Sequence, residues 1–249
     1  MSLALSLGLA VTAGGNGGGS GAWTPASQSG LISWGKLSDA GVVLNGGNVV
    51  SVPDRANASN TFQQNTAGNQ PLFVASAING KPGMRTSATG SKLLLGTLAS
   101  HYSLSTITFI CVCNPTFAAS GRIFSMFPTG GNDTQSGAFT VFQAAATTET
   151  FYSNGVVGSS TIPTTASGAP GVYSVRLDGA TARLRLSGVD GGGGAFSTAL
   201  SVDNWTLNGT AAFETTLDAC EWAIINHALS TQEWAQWSAY TTSLYGLAA

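Results

Sequence analysis

The sequence predicts an all-β domain with an extended N-terminal arm and one C-terminal helix. Three observations lead there. From Trp23 onward, short runs rich in β-branched and aromatic residues are separated by Gly, Asn, Pro and Ser clusters, the pattern of a sandwich or barrel. The opening residues alternate apolar and small side chains and are followed by a run of glycines. Near the C-terminus an apolar stripe recurs at three-to-four spacing. With 249 residues the chain can bury one large core, and it divides into an arm and tether over residues 1–22 and one domain over residues 23–249.

In MSLALSLGLAVT, Leu3, Leu5, Leu7 and Leu9 alternate with Ser2, Ala4, Ser6 and Gly8, the period of a strand with one apolar edge. The start carries no Lys or Arg and the apolar run is broken, so a secretory signal is not expected. AGGNGGGSG, residues 13–21, reads as a flexible tether.

In the body, strands are expected at 30–34, 42–52 (a hairpin about Asn45-Gly46-Gly47), 92–98, 105–114, 122–127, 138–144, 150–154, 171–178, 182–188 and 218–226. YSVRLDGATARLRLSG is a hairpin bent at Asp178-Gly179-Ala180-Thr181, with Arg176, Arg183 and Arg185 on its wet face. Asp190 to Gly194 is expected to be a loop. The helix is STQEWAQWSAYTTSLYG: Ser230 and Glu233 form a capping box, Trp234, Trp237 and Leu244 mark the apolar stripe, and Gly246 stands where a helix stops.

Composition narrows the function. The chain is 43% hydrophobic but only 8% charged, against roughly 25% in an ordinary domain. So little charge suits a protein packed into an assembly. Nine basic and eleven acidic residues give a net charge of −2 with no basic stripe, so nucleic acid is not an expected partner. No apolar run reaches the ~18 residues that span a bilayer, so a membrane is not expected either. Cys111, Cys113 and Cys220 read as buried, reduced thiols.

The ending CEWAIINHALSTQEWAQWSAYTTSLYGL resembles that of laminin-G-like, concanavalin A-type jelly-roll domains, with Glu221, Ile224, Asn226, Leu229, Ser230, Glu233, Tyr245 and Gly246 at matching positions. Three further segments fit in order. The opening matches at Trp34, Ser38, Asp39, Val50, Ser51, Asp54, Asn57 and Gln64, although Val52 replaces the usual Trp. Asn79, Gly80, Pro82 and Arg85 match an Asn-Gly-x-Pro turn before a strand, with Thr86 in place of Phe, and GVYSVRLDGATARLRLSGV is similar to the central hairpin. The resemblance covers roughly residues 23 to 249 and implies a two-sheet antiparallel jelly-roll sandwich. Short, charge-poor jelly rolls of this kind resemble those of phage structural proteins.

The fold does not fix the function. Glycosidases need two carboxylates close together, yet within the expected strands no two acids stand two or four residues apart, and Asp218 and Glu221 would point to opposite faces. His227, in the turn before the helix, and His101, expected in a loop, have no nucleophile motif beside them. No catalytic residue and no cofactor is expected. Asp54, Asn57 and Asn60 form a weak calcium candidate, read first as turn-forming side chains. Tyr102, Phe117, Tyr152 and Trp205, the aromatics nearest polar loops, are candidates for a sugar platform.

The leading expectation is a non-enzymatic virion protein, a phage capsid decoration or tail-associated protein assembled in the host cytoplasm. Its partners would be major capsid or tail proteins, or another copy of itself, and Leu3, Leu5, Leu7 and Leu9 would dock as an added strand. The alternative is a carbohydrate-binding module for a surface glycan.

Overall fold

The computed structural model describes residues 22–87, 95–116, 122–131, 137–145, 148–153, 156–163, 169–179, 181–195, 200–208 and 215–249. The arm, with Leu3, Leu5, Leu7 and Leu9, lies outside the described residues, as does Phe117. In chain order the strands are β1 (Leu31–Lys36), β2 (Val43–Asn45), β3 (Asn48–Ser51), β4 (Thr61–Gln63), β5 (Leu72–Ile78), β6 (Lys81–Arg85), β7 (Leu95–Leu104), β8 (Thr106–Thr116) and β9 (Arg122–Phe127). There follow β10 (Phe139–Ala145), β11 (Thr148–Ser153), β12 (Val156–Pro163), β13 (Gly171–Asp178), β14 (Thr181–Leu186), β15 (Val189–Ala195), β16 (Leu200–Leu207), β17 (Thr216–Ile225) and helix α1 (Thr231–Tyr245).

These strands form two antiparallel layers, the expected sandwich. In one, β5, β6, β17, β8, β13, β14 and β15 lie side by side, with β1 taking over beside β17 where β6 ends. In the other the order is β4, β7, β16, β9, β10, β11, β12. Strand β3 pairs with both β5 and β4 and so joins the layers at one edge.

Strand alternation divides the core in two. Phe109, Cys111 and Cys113 of β8 face the space between the sheets, while Ile110 and Val112 face outward beneath α1. A strand covered on both faces needs apolar side chains throughout, which is why ITFICVC shows no polar alternation. All three cysteines are free and buried. Burial, then the neighbouring Cys111, Asp218 and Glu221, pushes the Cys220 thiol far above its usual range.

Strand β17 corrects a sequence expectation. Ala219 pairs with Cys113 and Glu221 with Val112, so Cys220 is an extra residue in a bulge. Leu217, Ala219, Trp222 and Ile224 face the inter-sheet core, whereas Cys220 belongs to the cluster beneath the helix. The bulge therefore puts Glu221 on the helix side with Asp218 instead of opposite it. There Glu221, 1% exposed, accepts hydrogen bonds from Trp34 Nε1 at 2.7 Å, Tyr240 Oη at 2.8 Å and Tyr245 Oη at 2.6 Å. Burial and the Glu221 charge push both tyrosine hydroxyls well up, so they remain donors.

Two more expectations change. The glycine-rich run expected as a loop is β15, because ladder hydrogen bonds need only backbone: Arg183 pairs with Gly193 and Ala182 with Gly194. His101 lies on β7, not in a loop, with its ring 2.8 Å from Asp203.

Large aromatics fill the inter-sheet core at the cost of side chains opposite them. Phe62 stacks on Trp205 at 4.4 Å and packs against Trp222 at 4.1 Å. A Cβ on Gly35 would lie 1.8 Å from the Trp222 ring, and one on Gly96 2.2 Å from Trp205 Nε1. Gly35→Ala should destabilise the fold by about 1–3 kcal/mol through overpacking, read as a fall of roughly 2–4 °C in Tm per kcal/mol. An unchanged thermal transition would show that the indole does not need this space.

Candidate functional site

Helix α1 packs over β8 and β17, and the neighbouring hairpin β13–β14 carries its arginines on that same outer face. Val175, Leu177, Ala182, Leu184 and Leu186 point into the inter-sheet core, so alternation turns Arg176, Arg183 and Arg185 outward. The step between helix and hairpin is a groove of about 400 Å³, walled by these three arginines, Asp190, Trp234 and Ser238.

Register decides the electrostatics. In the hairpin Arg176 stands directly opposite Arg183, and Ser174 opposite Arg185. Directly opposed residues have Cβ atoms roughly 4.5–5.5 Å apart, and like charges there repel. Two of the three guanidiniums are held. Arg185 lies over the Trp234 ring at 4.9 Å, donates from Nε to the Ala249 carbonyl at 3.3 Å, and pairs with Asp190 at 3.1 Å. Arg176 donates to the Leu229 carbonyl at 3.4 Å and stands 3.8 Å from Asp178. Arg183 is exposed and has no hydrogen-bond or ion-pair partner among the described residues. Three of the chain's nine basic residues thus share one groove.

The helix wall is fixed by its own N-terminus. The Ser230 side chain accepts from the Glu233 N–H, and the Glu233 carboxylate accepts from the Ser230 N–H, completing the expected capping box. Glu233 also receives Gln28 Nε2 at 2.7 Å and lies 2.8 Å from His227 Nε2, while Gln28 Oε1 accepts from Trp237 Nε1 at 3.1 Å. Burial opposes the carboxylate, but the bonds from Ser230, Gln28 and His227 outweigh it and hold Glu233 down at about 2.

The other predicted site residues fall elsewhere. Trp205 is 1% exposed between Phe62, Phe124 and Trp222, so it is not the sugar platform the sequence suggested. It reads as a loop aromatic only because β16 escapes notice. Tyr102 is half-buried against the inter-sheet core. Tyr152 lies on β11, opposite Thr140 in the ladder. Tyr102 is not brought to the groove.

Asp54, Asn57 and Asn60 do come together, but as a turn. The Asp54 carboxylate accepts from Ser33 Oγ, Asn60 Nδ2 and the N–H groups of Trp34, Ala56 and Asn57. Asn57 Oδ1 accepts from the Ser59 N–H, and Asn60 Oδ1 from the Ala99 N–H. Oxygens so engaged do not fit a hard cation, which needs several free lone pairs.

A further concavity of about 520 Å³, beside Trp23 and Tyr240 on the far flank of α1, carries no charged side chain. Among the described residues no group of three metal-ligating side chains occurs, and no helix is long and apolar enough to cross a membrane. Two held guanidiniums and one open one surround a space large enough for a sugar-sized ligand, an arrangement able to receive an anion.

Comparison with known proteins adds to the fold. No family model and no curated protein matches the chain. Among solved structures it is similar to the binding domain of Paraclostridial Mosquitocidal Protein 1, with TM-score 0.59 and 9% identity over 85% of this chain and 52% of that one. It is also similar to Trypanosoma rangeli sialidase in complex with 2,3-difluorosialic acid, with TM-score 0.55 and 9% identity over 84% of this chain and 32% of that one. A mutant of that sialidase displaying trans-sialidase activity gives TM-score 0.54 and 8% identity, over 82% and 32%. The chain spans about half of the first protein and about a third of the sialidases. At such identities the likeness speaks to fold alone, and it is consistent with the concanavalin A-like jelly roll.

The Glu233 cluster predicts a pH dependence. Its folded value lies below the ordinary 4.5, so its stabilisation is complete above that value and is lost as pH falls toward about 2. Thermal unfolding followed from about pH 5 down to about pH 2 should fall more steeply for the wild type than for Glu233→Gln. Parallel curves would count against the cluster.

Proposed function

We propose that the chain is a non-catalytic binding module and that the groove between β13–β14 and α1 holds an anionic ligand. The observation that carries this reading is the Arg176–Arg183 pair: two like charges directly opposed across a hairpin, one of them without a partner among the described residues. In a chain with so few charges, such a pair costs stability unless something negative sits on it. An anion that binds only the folded state stabilises it by about 2.7 kcal/mol at a hundred times its Kd. The Tm should therefore rise by roughly 5–10 °C in a saturating anionic ligand, and Arg183→Ala should remove the rise. If a panel of anionic and neutral saccharides, phosphate and sulfate leaves the Tm of both proteins alike, the reading falls. The known binding domain among the similar structures is compatible with this reading at the level of fold.

A second reading, the phage capsid decoration or tail-associated protein, is favoured by the 8% charge and by the alternating Leu3, Leu5, Leu7 and Leu9 on their glycine tether. A docking arm of that kind adds a strand to a neighbouring subunit's sheet. Deleting residues 2–12 should then abolish incorporation into particles and leave the domain's thermal unfolding unchanged, whereas normal occupancy after the deletion would defeat the docking role.

A further inference from the structure

We infer that the ligand of the arginine groove is a saccharide bearing a single carboxylate, with Arg183 as its principal contact. This rests on the groove being a binding site and adds the chemical class of what it binds. Charge balance comes first. Among the side chains, Asp178 stands 3.8 Å from Arg176 and Asp190 3.1 Å from Arg185, while Arg183 has no carboxylate beside it among the described residues. One open guanidinium matches one singly charged group. A phosphate dianion or a nucleic acid strand would bring further negative charge against Asp190, which lines the same groove.

Geometry comes second. The open guanidinium is a planar fork, and a carboxylate meets such a fork with two parallel hydrogen bonds. Arg176, across the ladder from it, adds a second positive charge on the same face. Arg185 cannot swing away to compete, because the Trp234 ring, the Ala249 carbonyl and Asp190 hold it on three sides.

The remaining walls suit neutral hydroxyls. Asp190 keeps acceptor capacity beyond its Arg185 bond, since its side chain is 55% exposed. Thr231 and Ser238 offer hydroxyls that both donate and accept. A small carboxylate alone would leave these groups idle, whereas a sugar ring carries the hydroxyls to meet them. The groove's volume of about 400 Å³ falls in the range of small-ligand sites, roughly 300–1,000 Å³.

The test uses the full chain and titration calorimetry. Probes are a galacturonate trisaccharide, a sialylated trisaccharide, the methyl ester of each, a sulfated trisaccharide and inorganic phosphate. At least one carboxylated probe should bind saturably, and its ester at least about tenfold more weakly, since removing a charged hydrogen-bond partner costs one to two decades of affinity. Arg183→Ala should weaken the acid about ten- to hundredfold and leave the ester unchanged. Its exposed position means the variant loses no packing, and relief of the repulsion with Arg176 should hold its Tm at or above that of the wild type, which is measured alongside. Esters that bind as well as acids would overturn the carboxylate, and so would a sulfated probe or phosphate that binds better than both acids. In each of those cases the groove remains a binding site provided Arg183→Ala weakens the probe that binds. If no probe binds, or Arg183→Ala changes the binding of none, the function proposed for the groove fails as well.

Discussion

Glu221 is a carboxylate buried in the interior, and the position of the helix follows from the way its charge is met. Burying a charge is costly unless hydrogen bonds replace its hydration. Here those bonds come from Trp34 on β1 and from Tyr240 and Tyr245 on α1. One side chain on β17 therefore ties the first strand and the last helix to the same point. The bulge at Cys220 makes this possible, because regular alternation would turn Glu221 into the inter-sheet core among Phe62, Trp205 and Trp222. Once α1 is fixed there, its flank forms one wall of the groove, and the capping box at Ser230 and Glu233 sets where that wall begins.

Much of this architecture is legible in the residues. The helix, its cap and its αL stop at Gly246 follow from local chemistry that needs no partner. So do the hairpins at Asn45–Asn48 and Asp178–Thr181, whose turn residues set their own registers. The strands that escape notice are those whose identity depends on a neighbour. The run 189–195 has no apolar pattern and becomes a strand because β14 offers it a ladder. Thr61–Gln63 is too short to carry a period. The Glu221 bulge is invisible for a related reason, since an extra residue in a strand shows only against its partner.

The candidate site was half legible. The alternation of YSVRLDGATARLRLSG puts Arg176, Arg183 and Arg185 on one face, and counting back from the Asp178-Gly179 bend would have placed Arg176 opposite Arg183. What no local pattern supplies is the helix beside them, because Trp234 and Arg185 are distant in sequence and meet only through the packing of α1 on the sheet. Trp205 shows the reverse case. Polar neighbours, Asp203 and Asn204, suggest a surface position, yet the strand carries it into the middle of the aromatic core.

The pairing of β1 with β17 bears on how the chain is made. Leu31–Lys36 lies against residues 221–225, and Gln28 reaches Glu233 and Trp237 more than two hundred positions later. Synthesis proceeds from the N-terminus, so β1, β8 and the β13–β14 hairpin leave the ribosome before β17, the strand that lies between β1 and β8. Contacts this remote in sequence close slowly. Until residues 216–245 emerge, Ile110 and Val112 lack the helix that covers them and β8 lacks its neighbour β17. Through that stage β8 keeps an open edge and an uncovered outer face, and a chaperone that shields β8 would find its substrate there.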